Sequence, residues 1–309
     1  DNSYPFEKSA VNEHLFLLRV NEKVAFPKYV FNYLRSKDGQ KEILSDFRGA
    51  TVGGISRRIG ELVKVPLPPL PDQMRIAEIL TKAETLIAER KKSIALLDEY
   101  LKSVFLEMFG DPVRNEKGWE IQRLDFVSTL ERGRFSPRPR NNPSYFDGDY
   151  PFIQTGDISK SNHRLNLFRQ TLNEKGIKVS KEFKKGTVVI AIVGATIGET
   201  AILEIDVYAT DSVIGILANK KFTNNYFLEF VLRFWRPELI KNAPQAARAN
   251  INLEILDKLQ IIVPEMDFQN KFASIVEKTE SIKMEYQKSL IELENLYGVL
   301  SQKAFRGEI

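Results

Sequence analysis

The chain has no cysteine in its 309 residues, which excludes a disulfide framework and every thiolate metal site. Histidine is nearly absent too. His14 and His163 are the only two, too few for a usual zinc set once cysteine is gone. No run of about 18 uninterrupted apolar residues occurs, so nothing reads as a membrane span. The longest apolar stretch, Thr187 to Val193, has the length of a buried strand. The opening residues show neither a Met nor a basic-then-apolar leader, so no secretory signal is legible and the start at Asp1 reads as that of a fragment. A cytoplasmic setting fits these absences. Excess charge is small as well, 45 Lys and Arg against 41 Asp and Glu for a net +4, compatible with a polyanionic partner without requiring one. Its distribution says more. Arg132, Arg134, Arg138 and Arg140 fall within a nine-residue, Pro-interrupted stretch that cannot be a regular helix.

Signatures of catalysis are equally scarce. Gly194-Ala195-Thr196-Ile197-Gly198 is neither a dinucleotide fingerprint nor a Walker loop, since no Lys-Ser/Thr follows, and it reads as a tight hairpin-like turn. Asn142-Pro143-Ser144-Tyr145 approaches the Asn/Asp-Pro-Pro-Tyr/Phe element with which adenine amino-methyltransferases grip a flipped base. Its third position is Ser, however, it follows Arg138-Pro139-Arg140 rather than an apolar strand, and no Gly-rich cofactor loop lies elsewhere. A surface turn is expected there. His163 lies in a polar segment with no nucleophile elbow and is expected in a solvated loop. No carboxylate spacing picks out a metal pair, and no cofactor of the chain's own is expected. What remains is the equipment of binding. Besides the four arginines, the side chains suited to base edges and phosphates are Gln154, Thr155, Lys160, Asn162, Arg164, Thr196, Gln245, Arg248 and Asn250. Arg forks match guanine, and Asn or Gln amides match adenine.

A long internal repeat organises the chain. Displaced by 196 residues, the two halves align without a gap: Phe31 on Phe227, Glu42 on Glu238, Ile55 on Ile251, Pro68 on Pro264, Gln73 on Gln269, Lys92-Ser93 on Lys288-Ser289, Phe109 on Phe305. So long a period is not a solenoid but a tandem duplication of a domain followed by a helix. The second copy starts near Gly110, so roughly 85 residues of the first are expected to be missing by the repeat logic.

Gln73 to Phe109 contains neither Gly nor Pro and is rich in helix formers. Ile76, Ala83, Arg90, Leu97 and Val104 recur in one heptad position, and Leu80, Ile87, Ile94, Leu101 and Met108 in the other, a coiled-coil pattern. Gly110-Asp111-Pro112 stops it. At about 1.5 Å per residue such a helix extends roughly 55 Å. Asp267 to Phe305 repeats the pattern with Phe272, Val276, Thr279, Tyr286, Leu290, Leu293, Tyr297, Leu300 and Ala304 on its seam and Gly298 as a weak point. Arg90 and Lys283 make the seams imperfect. Between the helices, Thr187–Val193, Thr200–Ile205, Val213–Leu217 and Leu259–Val263 read as strands and Tyr226–Phe234 as a short helix ending before Pro237. The expected fold class is therefore α+β.

Three groups of residues then resemble one family. They are Gly49-Ala50-Thr51-Val52-Gly53-Gly54-Ile55-Ser56 followed by Val65-Pro66-Leu67-Pro68-Pro69-Leu70-Pro71-Asp72-Gln73 and the long helix; the Gly186-Thr187 strand with Gly194 to Gly198; and Tyr150-Pro151-Phe152-Ile153 with Gly156-Asp157-Ile158. Together they resemble the specificity subunit of type I restriction-modification systems. The resemblance implies target-recognition domains alternating with long conserved helices that pair as an antiparallel coiled coil. The segments would be residues 1–71, the C-terminal part of a first recognition domain; 72–110, the first long helix; 111–266, the second recognition domain; and 267–309, the second long helix. It implies that each recognition domain reads one half of a split target in double-stranded DNA, while the helices fix the spacer. With B-DNA repeating about every 34 Å, a rod of roughly 55 Å reaches more than one turn. It further implies that methyltransferase (M) subunits, two of them, dock on the helices, that restriction (R) subunits join through the assembled complex, and that the specificity subunit itself catalyses nothing. The second copy departs from the pattern, with Ala246-Ala247-Arg248-Ala249-Asn250 in place of the Gly-rich segment. The alternative is a single-chain DNA adenine methyltransferase or nuclease with an unrecognised site.

Overall fold

The computed structural model describes residues 12, 14–45, 47, 54–242 and 251–309, the side chain of Asn242 excepted. The elements run α1 (Pro27–Arg35), α2 (Lys37–Leu44), α3 (Ile59–Leu62), α4 (Leu70–Phe109), β1 (Ile121–Arg123), α5 (Leu124–Val127), β2 (Ser128–Arg132), β3 (Phe146–Ile153), α6 (Thr155–Lys160), β4 (Arg164–Leu165), β5 (Gln170–Leu172), α7 (Glu174–Lys178), β6 (Lys181–Phe183), β7 (Val188–Ala191), β8 (Thr200–Leu203), β9 (Val207–Ala209), β10 (Val213–Ala218), α8 (Asn225–Asn242), α9 (Leu253–Asp257), β11 (Gln260–Ile262) and α10 (Met266–Phe305). The chain is thus α+β. Both long helices have 40 residues, and their first and last residues repeat at the 196-residue offset. The first starts slightly ahead of the expected residue, because Leu70-Pro71 already adopts helical geometry at a position where a missing N–H costs nothing; the second starts one residue ahead, at Met266. Among the described residues no helix is long and apolar enough to cross a membrane.

Two compact units emerge, Asp1–Leu96 with Ile282–Ile309, and Leu97–Ser281. In the first, α1 begins at Pro27 without a side-chain cap from Phe26. The Phe26 N–H instead donates to Oε1 of the fully buried Gln73 on α4, at 2.8 Å. Tyr29, Tyr33, Ile76, Ala77, Leu80, Ala304 and Phe305 form the core, with the Phe305 ring edge-on to Tyr29 and Tyr33 at 5.4 and 5.2 Å. Burial of each such side chain stabilises by about 1.5–3 kcal/mol. The long helices run antiparallel here, since Tyr297 donates to Glu84 at 3.1 Å while Lys91 meets Glu294 at 2.8 Å. Arg90, an awkward residue for an apolar seam, lies over the Tyr286 ring at 4.4 Å, so the seam gains a cation–π contact there.

The second unit stacks α8, a five-stranded sheet of order β2-β10-β7-β8-β4 and a four-stranded sheet of order β5-β3-β9-β6; β1 pairs separately with β11. Alternation along β7 explains the layering. Val188, Ile190 and Ile192 join the core under α8 and the long helices, whereas Val189 and Ala191 face the second sheet with Phe183, Val207 and Ala209. A strand covered on both faces has no polar side, hence its uninterrupted apolar run. Phe105 anchors the first core, within 5.1 to 5.8 Å of the Phe227, Phe230, Phe234 and Phe272 rings. The expected end of a helix before Pro237 is corrected: α8 continues through that proline to Asn242. Leu239 is buried beyond it, and this packing offsets the lost backbone hydrogen bond.

Candidate nucleic-acid interface

Strand direction brings Arg132, Gln154, Arg164 and Thr196, among the predicted residues that are described, to one rim of the second unit. β2, β3, β7 and β9 end there, and β4, β5, β6, β8 and β10 begin there. The registers Arg132↔Ile214, Val213↔Ala191, Ile190↔Thr200, Ile153↔Ala209 and Phe152↔Gln170 place these ends side by side. Ile251 arrives at the same rim, its N–H donating to the Ile192 carbonyl at 2.9 Å. The five-stranded sheet alone presents four interstrand steps, about 19 Å.

The arginine stretch leaves the end of β2 and is held to the β9–β10 turn. Arg132 Nε donates to the Asp211 carbonyl at 2.7 Å, and Arg140 Nη2 to the Asp211 carboxylate at 2.8 Å. Arg134 Nη2 donates to the Ser180 carbonyl at 3.0 Å. Arg138 folds back onto carbonyls of Phe135, Ser136 and Pro137. Gly133 is the residue that lets the loop approach so closely, since a Cβ there would lie 2.1 Å from the Thr210 carbonyl oxygen. Asp211 thus ties both ends of the stretch to the turn, and the Arg140 side chain is still about half exposed at 48%.

Gln154 and Thr155 follow β3 and open α6. The Gln154 N–H donates to Asp157 at 2.8 Å, and its side chain donates to Gln170 at 2.6 Å. Thr196 ends the turn after β7, its hydroxyl on the Val193 carbonyl at 3.0 Å, and the hairpin-like character holds, for Gly198 N–H bonds back to the Ala191 carbonyl. Lys160, the last residue of α6, and the left-handed Asn162 (φ 49°) beyond it are exposed. Arg164 turns inward, its guanidinium 4.5 Å from the Tyr226 ring centroid. Gln245, Arg248 and Asn250 lie outside the described residues, as do residues 49–53 of the family-like segment.

His163 is not in a solvated loop, and that expectation is corrected. Its Nδ1 lies 3.1 Å from the Thr200 carbonyl and 3.2 Å from Glu229 Oε1, drawn in because β4 pairs with β8. Glu229 is fully buried, accepts from Thr200 Oγ1 at 2.7 Å, and is clasped by Arg233 Nε at 2.7 and 2.8 Å. Burial alone would raise its carboxyl, but the Arg233 guanidinium and His163 outweigh it and hold Glu229 below the usual carboxylate range. This network braces α8 against the sheet. Arg169, Gln170 and Lys181 also stand at the rim, placed there by strand pairing, as does Arg236 on α8, whose Nε donates to the Ile197 carbonyl; all four escaped the sequence reading, because their partners are distant in the chain.

The methyltransferase-like element does not form a base-stacking platform. Pro143–Tyr145 is a short 3-10 turn capped by Asn142, which accepts from Ser144 N–H at 3.1 Å. The Tyr145 ring packs edge-on against the buried Phe135. Among the described residues no group of three or more His, Asp or Glu side chains converges to hold a metal.

Similarity to known proteins identifies the family. A family model described as the type I restriction modification DNA specificity domain matches residues 2–97 and 116–295. The type I restriction enzyme MjaIX specificity subunit of Methanocaldococcus jannaschii is 23% identical over 301 residues, covering 91% of this chain and 69% of that protein. The EcoBI specificity subunit of Escherichia coli is 24% identical over 340 residues, covering 98% of this chain and 70% of that protein. Among solved structures, the type I restriction-modification S subunit from M. genitalium matches with a TM-score of 0.56 at 16% identity, over 90% of this chain and 72% of that one, and so shares the fold. The chain belongs to the type I restriction-modification DNA specificity family.

Proposed function

We propose that this chain is the DNA sequence-recognition subunit of a type I restriction-modification enzyme and that the rim of its second unit reads one half of a two-part target. It recognises and does not catalyse. The observation that carries this reading is the convergence of Arg132, Arg134, Arg140, Gln154, Thr155 and Thr196 on one rim, where cations for phosphate lie beside amides for base edges. Affinity comes mainly from the phosphate contacts and falls with salt; discrimination comes from the few base contacts. The other half of the target belongs to the first copy of the repeat. Methyltransferase subunits, two of them, dock on the long helices, where Leu86, Leu96, Ile291 and Leu296 are exposed apolar residues. Restriction subunits join the assembled complex, and the setting is the cytoplasm.

The test is a salt titration of DNA binding by the chain assembled with its methyltransferase subunits. Replacing Arg132, Arg134, Arg138 and Arg140 together with Ala lowers affinity and flattens the plot of log affinity against log salt, by about one unit for each phosphate left without its cation. Unchanged affinity and slope, in a variant that melts like the parent, would remove the rim as the interface.

A further inference from the structure

We infer that Gln154, Gln170 and Arg169 form a pre-set reading head for two neighbouring purines in the major groove, Arg169 on a guanine and the paired glutamines on an adenine. The inference rests on the rim being the DNA-reading surface and names what this part of it reads.

Gln154 leaves the end of β3 and Gln170 starts the neighbouring β5, so the two amides meet diagonally across the strand pair at 2.6 Å. That bond consumes one amino hydrogen and one carbonyl lone pair. The Gln154 side chain also accepts from the Asp157 backbone N–H as a capping box, which leaves one further lone pair on its oxygen; both glutamines are exposed, so an amide oxygen of one and an amino group of the other are left for a partner. The major-groove edge of adenine offers the complement, the N6 amino group as donor and N7 as acceptor.

Arg169 is set beside this pair by a carboxylate. Its Nε donates to Asp157 Oδ1 at 2.8 Å, and Asp157 Oδ2 accepts the Gln154 backbone N–H at 2.8 Å. Asp157 is almost wholly buried, with its side chain 5% exposed, whereas the Arg169 side chain is 59% exposed. One acid therefore fixes both the guanidinium and the backbone that carries the first glutamine. The guanidinium lies across Gly156, where a Cβ would come within 2.7 Å of Nη2. With Nε on Asp157 and Nη2 lying over Gly156, the exposed guanidinium still has its Nη hydrogens to offer, a fork that matches guanine O6 and N7. A phosphate contact requires only charge. It requires neither a carboxylate fixing the plane of the fork nor two neutral amides locked together. Prior fixation of three long side chains also removes most of the ordering cost of binding.

The experiment reads the methylated motif in DNA from cells expressing the chain with its methyltransferase subunits. Gln154→Ala, Gln170→Ala and Arg169→Lys are compared with the parent, each checked by thermal melting. Either glutamine variant relaxes a single adenine position, with discrimination falling about 5- to 150-fold, and leaves the other positions unchanged. Arg169→Lys keeps the charge but lacks the fork, and relaxes an adjacent guanine position. A motif unchanged in all three variants overturns the inference. So does a uniform decline at every position, which marks phosphate contacts or a structural role. If the parent itself directs no sequence-specific methylation, the DNA-reading assignment fails first and this inference with it.

Discussion

Gln73 and Gln269 stand at the same position of the repeat, both fully buried, and make the same bonds. Each Oε1 accepts from the chain just ahead of a helix, Phe26 N–H in one copy and Thr223 Oγ1 with Asn224 N–H in the other. Each Nε2 donates to a carbonyl of that same segment, Val24 or Phe222, and to the proline five residues upstream, Pro68 or Pro264. Phe31 and Phe227 share a position too, yet Phe31 is 48% exposed and Phe227 is 0% exposed. The joint between helix and preceding segment is thus the same in both copies, because a buried amide with all its bonds made tolerates no drift. The packing face is free to differ, because its worth depends on what covers it. Phe227 meets Phe105 and Phe109. In the first unit the aromatic contacts fall to Tyr29, Tyr33 and Phe305 instead.

The strongest way to sharpen this contrast is to cut the aromatic core where only one copy has it. Phe105→Ala removes the ring that five others surround and costs about 4 kcal/mol. Its repeat partner is Ser301, buried but small, and Ser301→Ala costs under about 1 kcal/mol. Denaturant unfolding of the two variants measures both. Equal losses would show that the two cores are equivalent after all.

Next in size is the contrast between Glu229 and Tyr33, which also share a repeat position. Glu229→Gln strips Arg233 of its buried counter-charge and costs about 3 kcal/mol. Tyr33→Phe costs about 1 kcal/mol, the worth of one hydroxyl. The two also part company with pH. Tyr33 is pushed up to about 12 by burial and by the nearby Glu42 carboxylate, so it stays protonated throughout the neutral and acid range. Glu229 is depressed in the folded state, so its contribution is complete above the ordinary glutamate value of 4.5 and is lost as pH falls below it toward the folded value. The stability gap between parent and Glu229→Gln therefore closes below about pH 4.5, whereas the gap for Tyr33→Phe does not. A gap that widens in acid would contradict the ion pair.

How much of this was legible in advance follows from the range of each interaction. The long helices could be read because heptads and the lack of Gly and Pro are local, and both last residues fall where expected, at Phe109 and Phe305. β7 could be read because burial on two faces writes itself into consecutive residues. The end of α8 could not, since whether a helix runs through Pro237 depends on what Leu239 packs against. His163 looked solvated because its neighbours in sequence are polar; its partners Thr200 and Glu229 are distant in the chain. Gln154 was singled out for its amide alone. Gln170 and Arg169 were missed, and Asp157 entered only within the family-like Gly156-Asp157-Ile158, because the pairing of β3 with β5 that assembles them has no mark in a single sequence.

The buried glutamines give a smaller test, in which the copies are expected to agree. Gln73→Ala and Gln269→Ala each leave buried backbone groups without partners and cost about 1–3 kcal/mol, the two within about 0.5 kcal/mol of one another if the sites are independent. Hydrogen exchange at the Phe26 and Asn224 amides would report the loosening locally. Protection retained in one variant and lost in the other would break the equivalence of the two joints.

The smallest effect concerns the helix pair itself. Lys91 and Glu294 meet at 2.8 Å with side chains 57% and 46% exposed, and an ion pair so open to water contributes about 0.5 kcal/mol or less. Lys91→Glu places like charges together and costs a similar amount; adding Glu294→Lys restores opposite charges in reversed order. The coupling from that double-mutant cycle, measured by melting at low and high salt, should be favourable, small and weakened by salt. Arg90→Leu at the adjacent turn separates charge from packing. It abolishes the contact over Tyr286 while returning an apolar side chain to the heptad position, so the stability should change by less than about 1 kcal/mol. A large loss would mean that the cation on the ring, rather than apolar packing, holds this part of the seam.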